Sequence, residues 1–190
     1  MNSGYLSHPL IFIIDTLATL YIAAIMLRFL LGLVRADFYN PVSQFLVAVT
    51  KPLLHPLRRI IPGYRSIDIA AVVLMLLLQM LTLFIIGSIK STSVAPQVLL
   101  VLAIAKLLAL LINVYLFSIL VVILLSWLSK GYHPISALLY RLTEPALKPA
   151  RRLIPPISGI DLSPMVVILA LFVAEMLLLP PLYLLADTVR

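Results

Sequence analysis

The sequence predicts an all-α membrane protein. Four transmembrane helices fall into two parallel repeats, each with a proline- and arginine-rich amphipathic cytoplasmic segment between its two spans. Three observations predict this. The chain has 190 residues, of which 63% are hydrophobic and 11% charged, against about 45–50% apolar and 25% charged usage in soluble domains. Four apolar runs reach the roughly 20 residues that a spanning helix needs. The third observation is internal: the phrase "TKPLLHPLRRIIPGYRSID" (50–68) returns as "TEPALKPARRLIPPISGID" (143–161).

The first run, "PLIFIIDTLATLYIAAIMLRFLLGLV" (9–34), lacks a basic leader and a small-residue cleavage site. It is expected to stay as a span rather than be removed as a signal peptide. "IAAVVLMLLLQMLTLFIIGSI" (69–89) is the second span. "LLALLINVYLFSILVVILLSWL" (107–128) is the third, with Pro96 as a possible earlier start. "PMVVILALFVAEMLLLPPLYLLA" (164–186) is the fourth, with Pro180-Pro181 marking a kink. Without cysteine, disulfides, thiolate catalysis and Cys-ligated metals are excluded.

Basic residues concentrate in two connections. Arg35, Lys51, Arg58, Arg59 and Arg65 lie between the first two spans; Lys130, Arg141, Lys148, Arg151 and Arg152 lie between the last two. Only Arg28, Lys90, Lys106 and Arg190 fall elsewhere. The positive-inside rule therefore places both connections in the cytoplasm and both termini in the periplasm of a bacterial inner membrane.

The repeat is ungapped. Residues 39–68 match 132–161 at 14 of 30 positions with an offset of 93, which divides the chain into a first repeat, 1–93, and a second, 94–190. Each unit crosses twice, so the copies point the same way, with a pseudo-twofold axis expected along the membrane normal. Asn40 and Pro41 read as an N-cap and first helical residue. Val42, Phe45, Leu46 and Val49 recur at helical spacing, as do Ile135, Leu138, Leu139 and Leu142, which predicts a short helix lying in the interface. Pro52 with Pro56, and Pro145 with Pro149, are expected to force turns before the arginine pairs. Asp68 and Asp161 stand where an N-cap would suit the next span's dipole.

Two readings fit Arg58, Arg59, Arg151 and Arg152: a composite site for anionic headgroups or a partner, or plain anchoring at about 1 kcal/mol per basic residue. Within the spans, Thr19, Thr82, Asn113 and Glu175 fall roughly 21–22 Å above the inner boundary, one per helix. They read as a cation or proton site centred on Glu175, or as ordinary interhelical hydrogen bonding. Asp15 and Lys106 lie near the outer boundary and could pair there. Arg28, about 9 Å in, can snorkel. No catalytic motif, metal set or phosphate-cradling glycine loop is present, so neither an enzyme nor a cofactor is expected. The basic segments carry too few aromatics for nucleic acid.

At these residues the chain resembles the YggT family, also called YlmG, of bacterial and plastid membrane proteins. The family's mark is a repeated "NP…TEPxLxPxRRxIPxxxGIDxSP". It appears here as Asn40-Pro41 with Thr50 to Asp68, and as Thr143 to Pro164. His133 replaces the second Asn, Lys51 replaces the first Glu, and Ala70-Ala71 stand where the second copy has Ser163-Pro164. The resemblance implies an inner-membrane protein with links to osmotic or potassium stress, cell division and plastid cytochrome assembly. The expected function is a non-enzymatic scaffold or assembly factor that holds lipid headgroups, other membrane proteins or further copies of itself. The alternative is a small ion-transporting or ion-regulating protein.

Overall fold

A computed structural model describes residues 4–63, 67–92, 94–128, 134–154 and 161–189. His133, Lys130 and Arg65 fall outside them, as does the side chain of Trp127. Six helices follow in order: α1 (Gly4–Leu33), α2 (Pro41–Ile60), α3 (Ile69–Ile89), α4 (Pro96–Leu128), α5 (Pro134–Leu153) and α6 (Ser163–Thr188). Four of them, α1, α3, α4 and α6, are long and apolar enough to cross a membrane. The third span takes the earlier of its two starts, at Pro96. α6 continues through Pro180 and Pro181 to Thr188.

The ends of these helices are chemically specified. Asn40 accepts the Val42 N–H at 3.0 Å, with Pro41 at the first helical position. α1 and α3 end alike. The Ala36 N–H reaches the Leu31 carbonyl and Arg35 that of Gly32; Thr92 reaches Gly87 and Ser91 reaches Ser88. Both are Schellman turns, with Arg35 (φ 50°) and Ser91 (φ 55°) in the left-handed position. At Gly87 a Cβ would stand 3.2 Å from the Thr92 carbonyl oxygen, so the second turn closes over a glycine.

The prolines of α2 and α5 do not break them. Each helix runs through both of its prolines to the arginine pair, contrary to the expected turns. All four prolines are exposed. Each removes one N–H from the carbonyl four residues earlier. Those carbonyls belong to Ala48, Pro52, Arg141 and Pro145, which are exposed too. The missing donors therefore sit on the open face, where other partners can replace them.

The buried stripe of α2 also differs from the predicted one. It runs through Ser43, Leu46, Thr50 and Leu54, while Phe45 is 64% exposed. In α5, Leu138, Leu142, Thr143, Leu147 and Ala150 are buried. The helices are longer than the predicted stripe, so the continuation past the prolines decides which face turns inward.

α1 packs against α2 and α3, and α4 against α5 and α6. Between these triads, α3 packs on α4, with further contacts of α1 to α4 and α5, and of α2 to α5. A twofold axis would pair α1 with α6 and α2 with α4. Neither pair touches among the described residues. The triads thus meet head to tail, not through a twofold. The main core shows this: Leu138 and Leu142 of α5 and Val114 of α4 join Ile25, Met26, Leu54 and Met75 of the first triad. A smaller cluster of Ile119, Leu147, Ala150 and Val167 closes the second.

Candidate functional site

The doubled arginines take unequal roles within each pair. At the C-terminal end of α2, Arg58 donates through Nε to Asp68 Oδ2 at 3.1 Å and through Nη2 to the same oxygen. At the matching place on α5, Arg151 Nε donates to Asp161 Oδ2 at 2.9 Å. The first arginine of each pair therefore ties the short helix to the start of the next span. The second arginine is left outward. Among the described residues, Arg59 hydrogen-bonds only His55, at 3.3 Å, and Arg152 is exposed with no hydrogen bond or ion pair.

The two bridges differ in detail for sequence reasons. Arg151 also donates to Glu144 at 3.0 Å; the matching residue in the first copy is Lys51, which cannot accept. Asp68 caps α3 by accepting the Ala71 N–H at 3.3 Å. The mate of Ala71 is Pro164, which has no N–H. Asp161 accepts instead from Ser163 at 2.9 Å, and α6 begins after Leu162, which makes no side-chain cap. Asp161, expected at the N-cap, thus stands one residue before the observed one, Leu162, yet still satisfies an end donor.

Electrostatics follow this geometry. Burial would raise the Asp161 carboxyl, but the hydrogen bond from the Ser163 N–H and the bond and charge of Arg151 outweigh it and hold it below its ordinary value. Burial would lower the Arg151 guanidinium; its bond to Asp161, with Glu144, keeps it above its ordinary value. Each partner favours the charged form of the other.

The two arginine pairs are not joined to one another by any hydrogen bond or ion pair among the described residues. The turn between α1 and α2 instead faces α5 across a cleft of about 340 Å³, lined by Arg35, Asp37 and Asn40 on one side and Ala137, Leu138 and Arg141 on the other. Sequence reasoning missed this cleft, because Arg35 and Arg141 are not repeat mates.

The polar residues inside the spans scatter as well. Thr82 is buried and donates to its own helix at the Leu78 carbonyl, 2.8 Å away. Thr19 and Glu175 are half-buried and Asn113 is exposed. No hydrogen bond connects any two of the four among the described residues. Gln79, one turn from Thr82 and 4% exposed, was not anticipated; its place on α3 was hidden in an apolar run. Lys106 and Asp15 do pair, at 2.9 Å. Arg28 donates to the buried Thr50 hydroxyl at 2.6 Å, a contact the Thr50/Thr143 identity could not reveal, since Val121 stands at the matching place. No group of three or more metal-ligating side chains occurs among the described residues.

Comparison with known proteins agrees with the motif. A family model described as CCB3/YggT matches twice, over residues 7–89 and 101–182. An uncharacterized protein of Pseudomonas aeruginosa is 43% identical over 172 residues, 89% of this chain and 87% of its own length. One from Vibrio alginolyticus is 41% identical over 170 residues, covering 88% and 91%. Escherichia coli YggT is 38% identical over 172 residues, covering 89% and 88%. No solved structure matches. With the family model covering both triads and these relatives spanning most of the chain, the protein belongs to the CCB3/YggT family.

Proposed function

We propose that the protein is a non-enzymatic scaffold or assembly factor of the bacterial inner membrane. Its termini face the periplasm, and α2 and α5 lie in the cytoplasmic headgroup layer as matching parts of two parallel repeats. The observation that carries this reading is the division of labour within each arginine pair. Arg58 and Arg151 spend their charge inside the protein, holding each helix to the next span. That leaves Arg59 and Arg152 displayed from a fixed base. A planar guanidinium binds a phosphate or carboxylate through two parallel hydrogen bonds, which suits a headgroup or an acidic partner surface. The reading of one site shared by all four arginines gives way to two displayed groups. Transport draws no comparable support, because no hydrogen bond links Thr19, Thr82, Asn113 and Glu175 among the described residues.

The test compares two double variants. Arg59→Ala with Arg152→Ala removes two contacts of about 1 kcal/mol each, which predicts roughly thirtyfold weaker retention of anionic phospholipid or of co-purified proteins. Thermal stability should stay at the wild-type level. Arg58→Ala with Arg151→Ala should instead lower stability. Native mass spectrometry after extraction reads the first effect and detergent-phase unfolding the second. Full lipid and partner retention by the Arg59/Arg152 variant would sink the proposal.

A further inference from the structure

The head-to-tail arrangement leaves each triad's partner surface used once and open once. Among the described residues, α3 has three neighbouring helices, α1, α2 and α4, whereas its repeat mate α6 has only the equivalents of the first two, α4 and α5. The side chains record the difference. Ala71, Met75, Gln79 and Thr82 form a buried stripe on α3. At the matching places on α6, Pro164, Ile168 and Glu175 are half-exposed and Phe172 is exposed. The opposite end behaves the same way. Ala103 and Ala105 of α4 are fully buried, while their mates on α1, Leu10 and Phe12, are 49% and 69% exposed.

The open stripe borders a groove. Asn113, Phe117 and Leu120 of α4 and Ile168 and Phe172 of α6 line a cavity of about 440 Å³. Its counterpart in the first triad, between α1 and α3, involves Ala24, Leu27 and Met75, all packed into the main core. Part of that packing comes from Leu110, Leu111 and Val114 of α4. The mates of those three on α1 are Leu17, Ala18 and Tyr21, and Leu17 is 63% exposed.

We propose that α6 of one copy receives α1 of a second copy, repeating between chains the seam that α3 and α4 make within one. The occupant is another molecule of this protein, and the inference is independent of the scaffold reading. Two polar groups favour protein over lipid as the cover. Glu175 and Asn113 lie mid-span, one on the open stripe and the other on the groove wall, where hydrocarbon would surround a carboxyl and an amide at high cost. Because the contact is heterologous, it closes only as a ring of copies and otherwise continues as a row.

The chain has no cysteine, so cross-linking reads the geometry without background. Leu17→Cys and Phe172→Cys, placed in one chain and treated with a short bis-maleimide in native membranes, should give a ladder of multiples of 21.0 kDa that stops at the ring size. Met176→Cys replaces Phe172→Cys if the latter is poorly made. Asp15→Cys with Lys106→Cys serves as the control, since that contact lies within one chain. Native mass spectrometry of unmodified protein in nanodiscs should show the same multiple. A monomer in nanodiscs, with an intact control and no ladder, overturns the proposal and assigns the groove to lipid. A dimer from Phe172→Cys alone, with no Leu17–Phe172 product, also overturns it, because α6 would then pair with α6.

Discussion

Thr50 and Thr143 hold the same place in the two copies, both fully buried and both back-bonded to the carbonyl four residues earlier, at 2.6 and 2.8 Å. Only Thr50 also accepts from Arg28. Loss of the hydroxyl therefore has different consequences at the two sites. Thr143→Val frees a carbonyl that still accepts from its own helix, and should cost less than about 1 kcal/mol. Thr50→Val strands a half-buried guanidinium and should cost on the order of 1–3 kcal/mol. Thermal unfolding of each variant in the same detergent separates them; equal losses would mean that Arg28 finds another acceptor. The sequence announced the threonine pair but not the guanidinium, because Arg28 belongs to one copy alone. It also pointed to Asp68 and Asp161 as cap residues. The one-residue shift at α6 came from a proline whose missing N–H was visible in the sequence and whose consequence required the bridge geometry.

At the scale of elements, the four spans were legible because apolar length is a direct signal. The short helices were legible in their start, at Asn40-Pro41, and not in their extent. Proline spacing argued for turns. The helices continue because Pro52 and Pro56, like Pro145 and Pro149, are four apart and share one exposed face. If continuity is native, Pro52→Ala with Pro145→Ala restores donors to the Ala48 and Arg141 carbonyls. Each change should then stabilise by about 1–2 kcal/mol, the interior penalty of proline less its restriction of the unfolded chain. Detergent-phase melting measures it. A lower melting temperature would instead show that the proline rings themselves are packing elements.

For the whole molecule, the repeat was legible as an identity pattern, while the way its copies meet was not. Identities report that two units share a fold; they carry no information on the operator relating them. Side-chain differences such as Gln79 against Phe172 become readable only once α3 is seen buried and α6 open. Orientation rests on charge, with ten of fourteen basic residues in two connections. Reporter fusions after Arg65 and after Arg152 should be active only with an enzyme that works in the cytoplasm. Activity of a periplasmic reporter at either site would reverse the topology and move the displayed arginines to the other leaflet.

The six residues between Ile89 and Pro96 make the α3–α4 seam an intramolecular encounter. A short tether holds two partners at an effective concentration in the millimolar range. That seam can tolerate weak complementarity, including a buried glutamine and threonine, without coming apart. An untethered seam between equivalent faces has no such protection and must hold by surface fit alone. Tandem duplication therefore relaxes selection on one copy of an interface while leaving it in force on the other. Under that asymmetry α3 and α6 can drift apart in side-chain character even as the loops that place them stay alike.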